Sequence, residues 1–125
     1  TQDREEGGWP PYPGSKVRID FSVMDDVIEA LHLMGHGSDS PVIQKALSCF
    51  WRYRPRWGDP INAISILRAY LVLGYGPEEK AVKDCIQILS ETQNEDGGWS
   101  PKYGLPSNPT VTRYAAKVLR LCGVL

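Results

Sequence analysis

The sequence lacks what a nucleic-acid surface, a membrane span or a disulfide framework would require. Lys and Arg total 14 against 15 Asp and Glu, giving a net charge of −1, and no stretch gathers the cations. Binding a phosphate backbone needs clustered Lys and Arg, so no nucleic-acid partner is expected. No apolar run approaches the roughly 20 residues that cross a bilayer. The opening stretch, with Asp3, Arg4, Glu5 and Glu6, has neither the basic start nor the apolar core of a signal peptide. Cysteine is scarce and odd in number, with Cys49, Cys85 and Cys122 far apart in apolar periodic segments. That pattern points to buried free thiols in a reducing compartment, hence a cytoplasmic location, and not to disulfides or zinc. Membrane association would come only through a larger parent protein. Strand-type alternation, linkers and low-complexity tails are also absent.

What is present is a repeat. The 125 residues, 42% hydrophobic and 23% charged, suit one soluble globular domain. Three segments of 16 residues align without a gap, each ending in Gly: Asp20–Gly35, Asp59–Gly74 and Asn108–Gly123. Each opens on an N-capping Asp or Asn, followed in two copies by Pro60 and Pro109 at the first helical position, where a missing N–H costs nothing. The closing Gly supplies a left-handed C-cap. Counting back 12, 8, 5, 4 and 1 residues from the Gly gives a shared stripe. It reads Val23, Val27, Ala30, Leu31 and Met34, then Asn62, Ile66, Ala69, Tyr70 and Leu73, then Val111, Ala115, Val118, Leu119 and Cys122. This is a face of period 3.6 and predicts helices.

Two further helices are predicted between the copies. One opens at Ser40-Pro41, with Val42, Ala46, Leu47 and Phe50 inward. The other opens at Gly76-Pro77-Glu78-Glu79, with Ala81, Val82, Cys85, Ile88 and Leu89 inward and both Glu residues favoured in the first turn by the helix dipole. The expected helices span 20–34, 41–53, 60–73, 77–92 and 109–122. Gly-terminated ends 39 and 49 residues apart fit stacked helical pairs, each burying its neighbour's face. The repeats divide as 1–37, 38–75 and 76–125, the first lacking an outer helix. Its uncovered apolar stripe, over Val27, Leu31 and Met34, predicts a homo-oligomer or contact with further repeats.

The loops before the first and third copies share a pattern. One holds Gln2, Gly7, Gly8 and Trp9; the other is Gln93-Asn94-Glu95-Asp96-Gly97-Gly98-Trp99. The second, preceded by the aliphatic Ile88-Leu89, resembles the QW motif of squalene cyclases and related terpene cyclases and prenyltransferases. The middle loop, Arg54-Pro55-Arg56-Trp57-Gly58, keeps the Trp and loses the Gln. The resemblance covers nearly the whole chain. It implies an all-α fold of antiparallel helical hairpins forming a partial α/α toroid. Helices 41–53 and 77–92 would be outer, and the three Gly-terminated helices inner. A full ring of this kind holds about six hairpins; two and a half are expected here, as a segment of a larger ring. The motif names an architecture more than a reaction. The resemblance implies binding or cyclisation of a polyprenyl substrate in the complete ring, with no cofactor and no metal. The alternative is a non-catalytic repeat module for packing or protein interaction.

The candidate catalytic residues are Asp25 and Asp26. They resemble the last two positions of the Asp-x-Asp-Asp proton-donor motif of class II terpene cyclases, with Asp25 at the donor position. Val23 stands in place of the first Asp, and Val27-Ile28 replaces the usual Thr-Ala. Protonating an alkene needs a carboxylic acid kept neutral by burial or a neighbouring carboxylate. The competing reading is a helix-start acid, since Ser22 to Asp25 fits a capping box and the dipole would hold the pKa normal or low. Asp25, Glu29 and His32 share one face, matched by Ile64, Arg68 and Leu71 and then by Arg113, Lys117 and Arg120. That face is read as a solvated one, against the alternative of a polar lumen. Trp9, Trp57 and Trp99, with Gln2, Gly8, Gln93, Gly97 and Gly98, are expected to brace the repeats. His32 and His36 are spaced for a metal, but Gly35 ends the helix between them and no third ligand follows.

Overall fold

The computed structural model describes residues 2–16 and 19–125. Among them the chain is all-helical, with α1 (Phe21–Leu33), α2 (Pro41–Arg52), a 3-10 helix (Arg54–Gly58), α3 (Pro60–Val72), α4 (Lys80–Thr92) and α5 (Pro109–Leu121). No helix among the described residues is long and apolar enough to cross a membrane.

Local chemistry sets the ends of the three repeated helices. Asp20 accepts from the N–H groups of Ser22 (2.9 Å) and Val23 (3.3 Å). Asn108 accepts from those of Thr110 (2.9 Å) and Val111 (3.1 Å). Asp59 instead turns its side chain to the N–H of Tyr103 in the loop before α5 (3.3 Å). The C-terminal ends are superimposable in pattern. Gly35, Gly74 and Gly123 all have φ between 79° and 102°, and each donates to the carbonyl three residues back, His32, Leu71 and Arg120 respectively, at 3.0 Å. The next residue donates to a carbonyl five back: His36 to Leu31, Tyr75 to Tyr70 and Val124 to Leu119. This is the Schellman arrangement, and it needs the left-handed φ that Gly adopts without penalty.

The loops repeat too. Asp3 N–H donates to Gly8 and Gly7 N–H to Asp3; Asn94 N–H donates to Gly98 and Gly97 N–H to Asn94. In both, the amide of the Gln closes the turn, Gln2 on the Gly7 carbonyl (2.7 Å) and Gln93 on that of Gly97 (2.8 Å). Gln2 also reaches the Val42 carbonyl of α2 (3.0 Å), tying loop to helix. Trp9 and Trp99 then return the chain, their carbonyls accepting from the N–H groups of Asp20 and Asn108. Two loops with one bonding scheme, their Gln residues 91 positions apart and their Trp residues 90, are a structural repeat as well as a sequence repeat.

Helix α3 is central, with α1, α5, α4 and the 3-10 helix all packed on it; α2 lies against α1. Its Ala63, Ile66, Leu67 and Ala69 are fully buried. The core continues through Phe21, Met24 and Ile28 of α1, Ile43 and Phe50 of α2, Val82 and Leu89 of α4, and Val118 of α5. Trp57 is fully buried, its indole N–H donating to the Phe50 carbonyl (2.9 Å), and buried Trp99 donates likewise to Leu89 (2.8 Å). Gly8 is dictated by contact: a Cβ there would lie 2.8 Å from both Ile19 Cδ1 and Met24 Sδ.

Two sequence expectations need correcting. The helix expected over 77–92 begins at Lys80, because Gly76 to Glu79 closes a turn, with Glu79 N–H on the Gly76 carbonyl (3.0 Å). Glu79 is therefore the N-cap and no acid sits in the first turn. The stripe predicted for α1 is also displaced. Its buried residues are Phe21, Met24, Asp25 and Ile28, whereas Ala30 is exposed and Met34 is 74% exposed. The corresponding residues Ile66, Ala69 and Tyr70 of α3 and Ala115, Val118 and Leu119 of α5 are buried.

Replacing Trp99 by Ala removes a buried indole and leaves the Leu89 carbonyl without its donor. The expected loss is about 3–5 kcal/mol in chemical denaturation. An unchanged midpoint would mean that the indole does not brace the fold.

Candidate functional site

The three Gly-terminated helices share one cavity of about 490 Å3. Val23, Ile61, Ile64 and Val118 give it apolar wall; Asp25, Asp26, Arg68 and Lys117 give it charge; Tyr114 is its one aromatic residue. α1, α3 and α5 meet there because α3 carries the other two on adjacent sides.

Asp25 is the residue the cavity treats most unusually. It lies one turn inside α1, is only 7% exposed, and places Oδ2 3.2 Å from Arg68 Nη1. Its Oδ1 is buried without a hydrogen-bond partner. Burial disfavours the carboxylate and, with the nearby charge of Asp26, pushes the pKa up from 3.8 to about 6, while Arg68 opposes the rise. The helix-start expectation of a normal or lowered pKa is therefore incorrect. So is the capping box: Asp20 is the cap, and Asp25 lies too far inside the helix to feel a free N–H.

Arg68 gathers the acids of α1. Nη1 donates to Asp25 Oδ2 and to Asp26 Oδ1, both at 3.2 Å, and Nη2 to Glu29 Oε2 at 2.7 Å. Three carboxylates around one guanidinium, itself about three-quarters buried, form a grip between α1 and α3. The face containing Asp25 and Glu29 is thus not simply solvated, as expected; on the Asp25 side it is a helix-packing surface. The guanidinium's own burial would lower its pKa, but its acid partners together raise it.

The chain matches no family model, no curated protein and no solved structure.

The other candidates lie elsewhere. Trp9, Trp57 and Trp99 are buried in the core and none lines the cavity. Gln2, Gln93, Gly8, Gly97 and Gly98 belong to the loop turns described above. His32 is exposed, and His36 Nδ1 lies 3.0 Å from Ser40 Oγ. No group of three or more His, Cys, Asp or Glu among the described residues could hold a metal ion. Cys49 and Cys85 are buried free thiols, pushed by burial to about 11 and about 12; Cys122 is half-buried. Thiols so raised are poor nucleophiles.

Sequence reasoning missed two partnerships. Trp51, which lies outside the repeated loops, donates its indole N–H to Tyr70 Oη (3.0 Å), joining α2 to α3. Arg68 was placed at the register of Glu29 but not seen as the hub of the acids. The signal was there: one cation at the register where its neighbour carries acid.

The raised pKa has a direction in stability. An acid protonated more readily when folded contributes stability that is complete below its unfolded pKa of 3.8 and lost as pH rises through about 6. The two-unit gap corresponds to roughly 3 kcal/mol. Asp25→Asn should flatten the stability profile between pH 4 and pH 6 in urea titrations. Arg68→Ala should raise the Asp25 pKa beyond about 6, read by carboxyl-carbon NMR; a fall would show that Arg68 does not oppose the shift.

Proposed function

We propose that this chain is an arc of a ring-shaped protein of the squalene cyclase and prenyltransferase kind, whose inner helices bind an isoprenoid chain once the ring is complete. The observation that carries this reading is the position of Asp25. A nearly buried acid, with one oxygen unpartnered and a pKa near 6, lines a cavity shared by all three inner-type helices. Val23, Ile61, Ile64 and Val118 offer the hydrocarbon an apolar wall. The QW-like loops, with Gln on the turn and Trp in the core, support the same architecture.

Binding is better supported than cyclisation by this arc alone. With a pKa near 6, Asp25 is mostly ionised at neutral pH, because Arg68 holds the value below what burial alone would give. Tyr114 is the cavity's one aromatic, a thin supply of ring faces for stabilising a carbocation. Asp26, Arg68 and Lys117 keep the centre polar, and a cation open to water is quenched. The second reading, a non-catalytic packing module, is favoured by the Arg68 grip, which accounts for Asp25 and Asp26 as structural acids.

Squalene or a linear polyprenyl diphosphate incubated with the 125-residue chain should give no cyclic product by gas chromatography. In a protein carrying the further repeats, both should bind, and Asp25→Asn should abolish any cyclisation without abolishing binding. Failure of the larger protein to bind either compound would leave the packing module as the function. Cyclic product from the isolated chain, lost in Asp25→Asn, would make it a minimal cyclase instead.

A further inference from the structure

The two ends of the helix series carry complementary, unpartnered surfaces. On α1, the stripe that α3 and α5 bury stays open: Val23, Val27 and Leu31 are half-buried, Ala30 is exposed, and Met34 is 74% exposed with Leu33 beside it at 80%. The equivalents Ile66, Ala69 and Tyr70 in α3, and Ala115, Val118 and Leu119 in α5, are buried. α1 instead buries Phe21, Met24 and Ile28, and α3 and α2 pack on it.

The far side of α5 is cationic. Arg113, Lys117 and Arg120 are exposed and make no ion pair among the described residues. α1 has the opposite imbalance, with Asp25, Asp26 and Glu29 sharing the single cation Arg68. Asp26 is 77% exposed, and Glu29 bonds Arg68 through Oε2 alone and is 42% exposed, leaving Oε1 for a second cation.

The repeat register shows how these surfaces meet. Arg68 stands six residues before its Gly and reaches back to Asp25 and Glu29, ten and six residues before theirs. Continue the series by placing α1 of another copy after α5. Glu29 then occupies the place of Arg68, and Arg113 and Lys117 occupy the places of Asp25 and Glu29. The grip between α1 and α3 is reproduced with its signs exchanged. Leu33, one turn on from Glu29 and 80% exposed, is covered in the same step.

We propose that two copies of this chain associate head to tail, with α5 of one protomer lying along the open side of α1 of its partner. Apolar burial drives the contact, and the charges fix its orientation. The proposal rests on reading the chain as an arc of a ring, and it names what continues the arc.

Sedimentation velocity tests it on the intact chain. The mass should rise above the 14.0 kDa of one chain with concentration, and the association should weaken with salt. Arg113→Glu with Lys117→Glu, both exposed, should keep the helical circular dichroism and weaken association at least tenfold. Asp26→Lys with Glu29→Lys should do the same. Mixed in equal amounts, the two double variants should associate with each other, since only that pairing sets acid against base at both junctions. Should the acid-to-base variant fail to fold, the α5 variant alone decides. A wild-type chain monomeric at millimolar concentration, or an α5 variant that associates as tightly as wild type, would overturn the proposal. Association without squalene binding would keep this interface and remove the isoprenoid reading; squalene binding by a persistent monomer would do the reverse.

Discussion

Helix α3 must lose almost all of its surface to neighbours, and the arrangement of the other helices follows from that requirement. Its sequence, Pro60-Ile61-Asn62-Ala63-Ile64-Ser65-Ile66-Leu67-Arg68-Ala69-Tyr70-Leu71-Val72, is apolar on nearly every side. A helix of this kind is stable in water only when enclosed. α1, α4, α5 and the 3-10 helix do the enclosing, and each needs only one apolar face for it. Helices α2 and α4 show that simpler pattern, with apolar residues on one side and Gln, Lys and Ser or Glu on the other.

Within that packing, Arg68 is the one charged residue of the helix. A guanidinium this enclosed requires carboxylate partners, because a buried charge left unpaired costs far more than the pair contributes. Asp25, Asp26 and Glu29 provide them, and Asp25 bears the cost in its raised pKa. Structural grip and chemical potential coexist in one carboxyl group: the burial that lets Asp25 hold a proton near neutrality also makes it a joint between two helices. The charge surplus on α1 and the cations of α5, which make no ion pair among the described residues, are the same economy seen at the two ends of the series.

Much of this was legible in the residues. The Asp or Asn to Gly frame of the repeated helices was readable because caps are local: in α1 and α5 the Asx side chain bonds N–H groups two and three residues on, though Asp59 of α3 does not, and a C-terminal Gly adopts a φ that other residues resist. The stripe of α5 was readable for a similar reason, since Val111, Ala115, Val118 and Leu119 are separated by polar residues that mark the boundary. In α1 the same count misled. Phe21, Met24 and Ile28 offer a second apolar face, and periodicity cannot say which of two such faces has a neighbour. The start of α4 was misplaced because Pro-Glu-Glu suits a first helical turn as well as the turn that precedes it.

By itself, the sequence determined the helical content, the three repeated helices with their C-terminal glycines, the matched turns at Gln2 and Gln93, and the apolar residues of α2 and α4. Each follows from interactions within a few positions along the chain. Only the tertiary structure decided that Asp25 is buried and not solvated, that Arg68 bridges three acids, that Trp51 bonds Tyr70, and that α1 is left open where α3 and α5 are covered. These depend on which helix lies beside which and at what rotation. That outcome is set by the combined burial of surfaces far apart in sequence, where a local pattern carries no information about its partner.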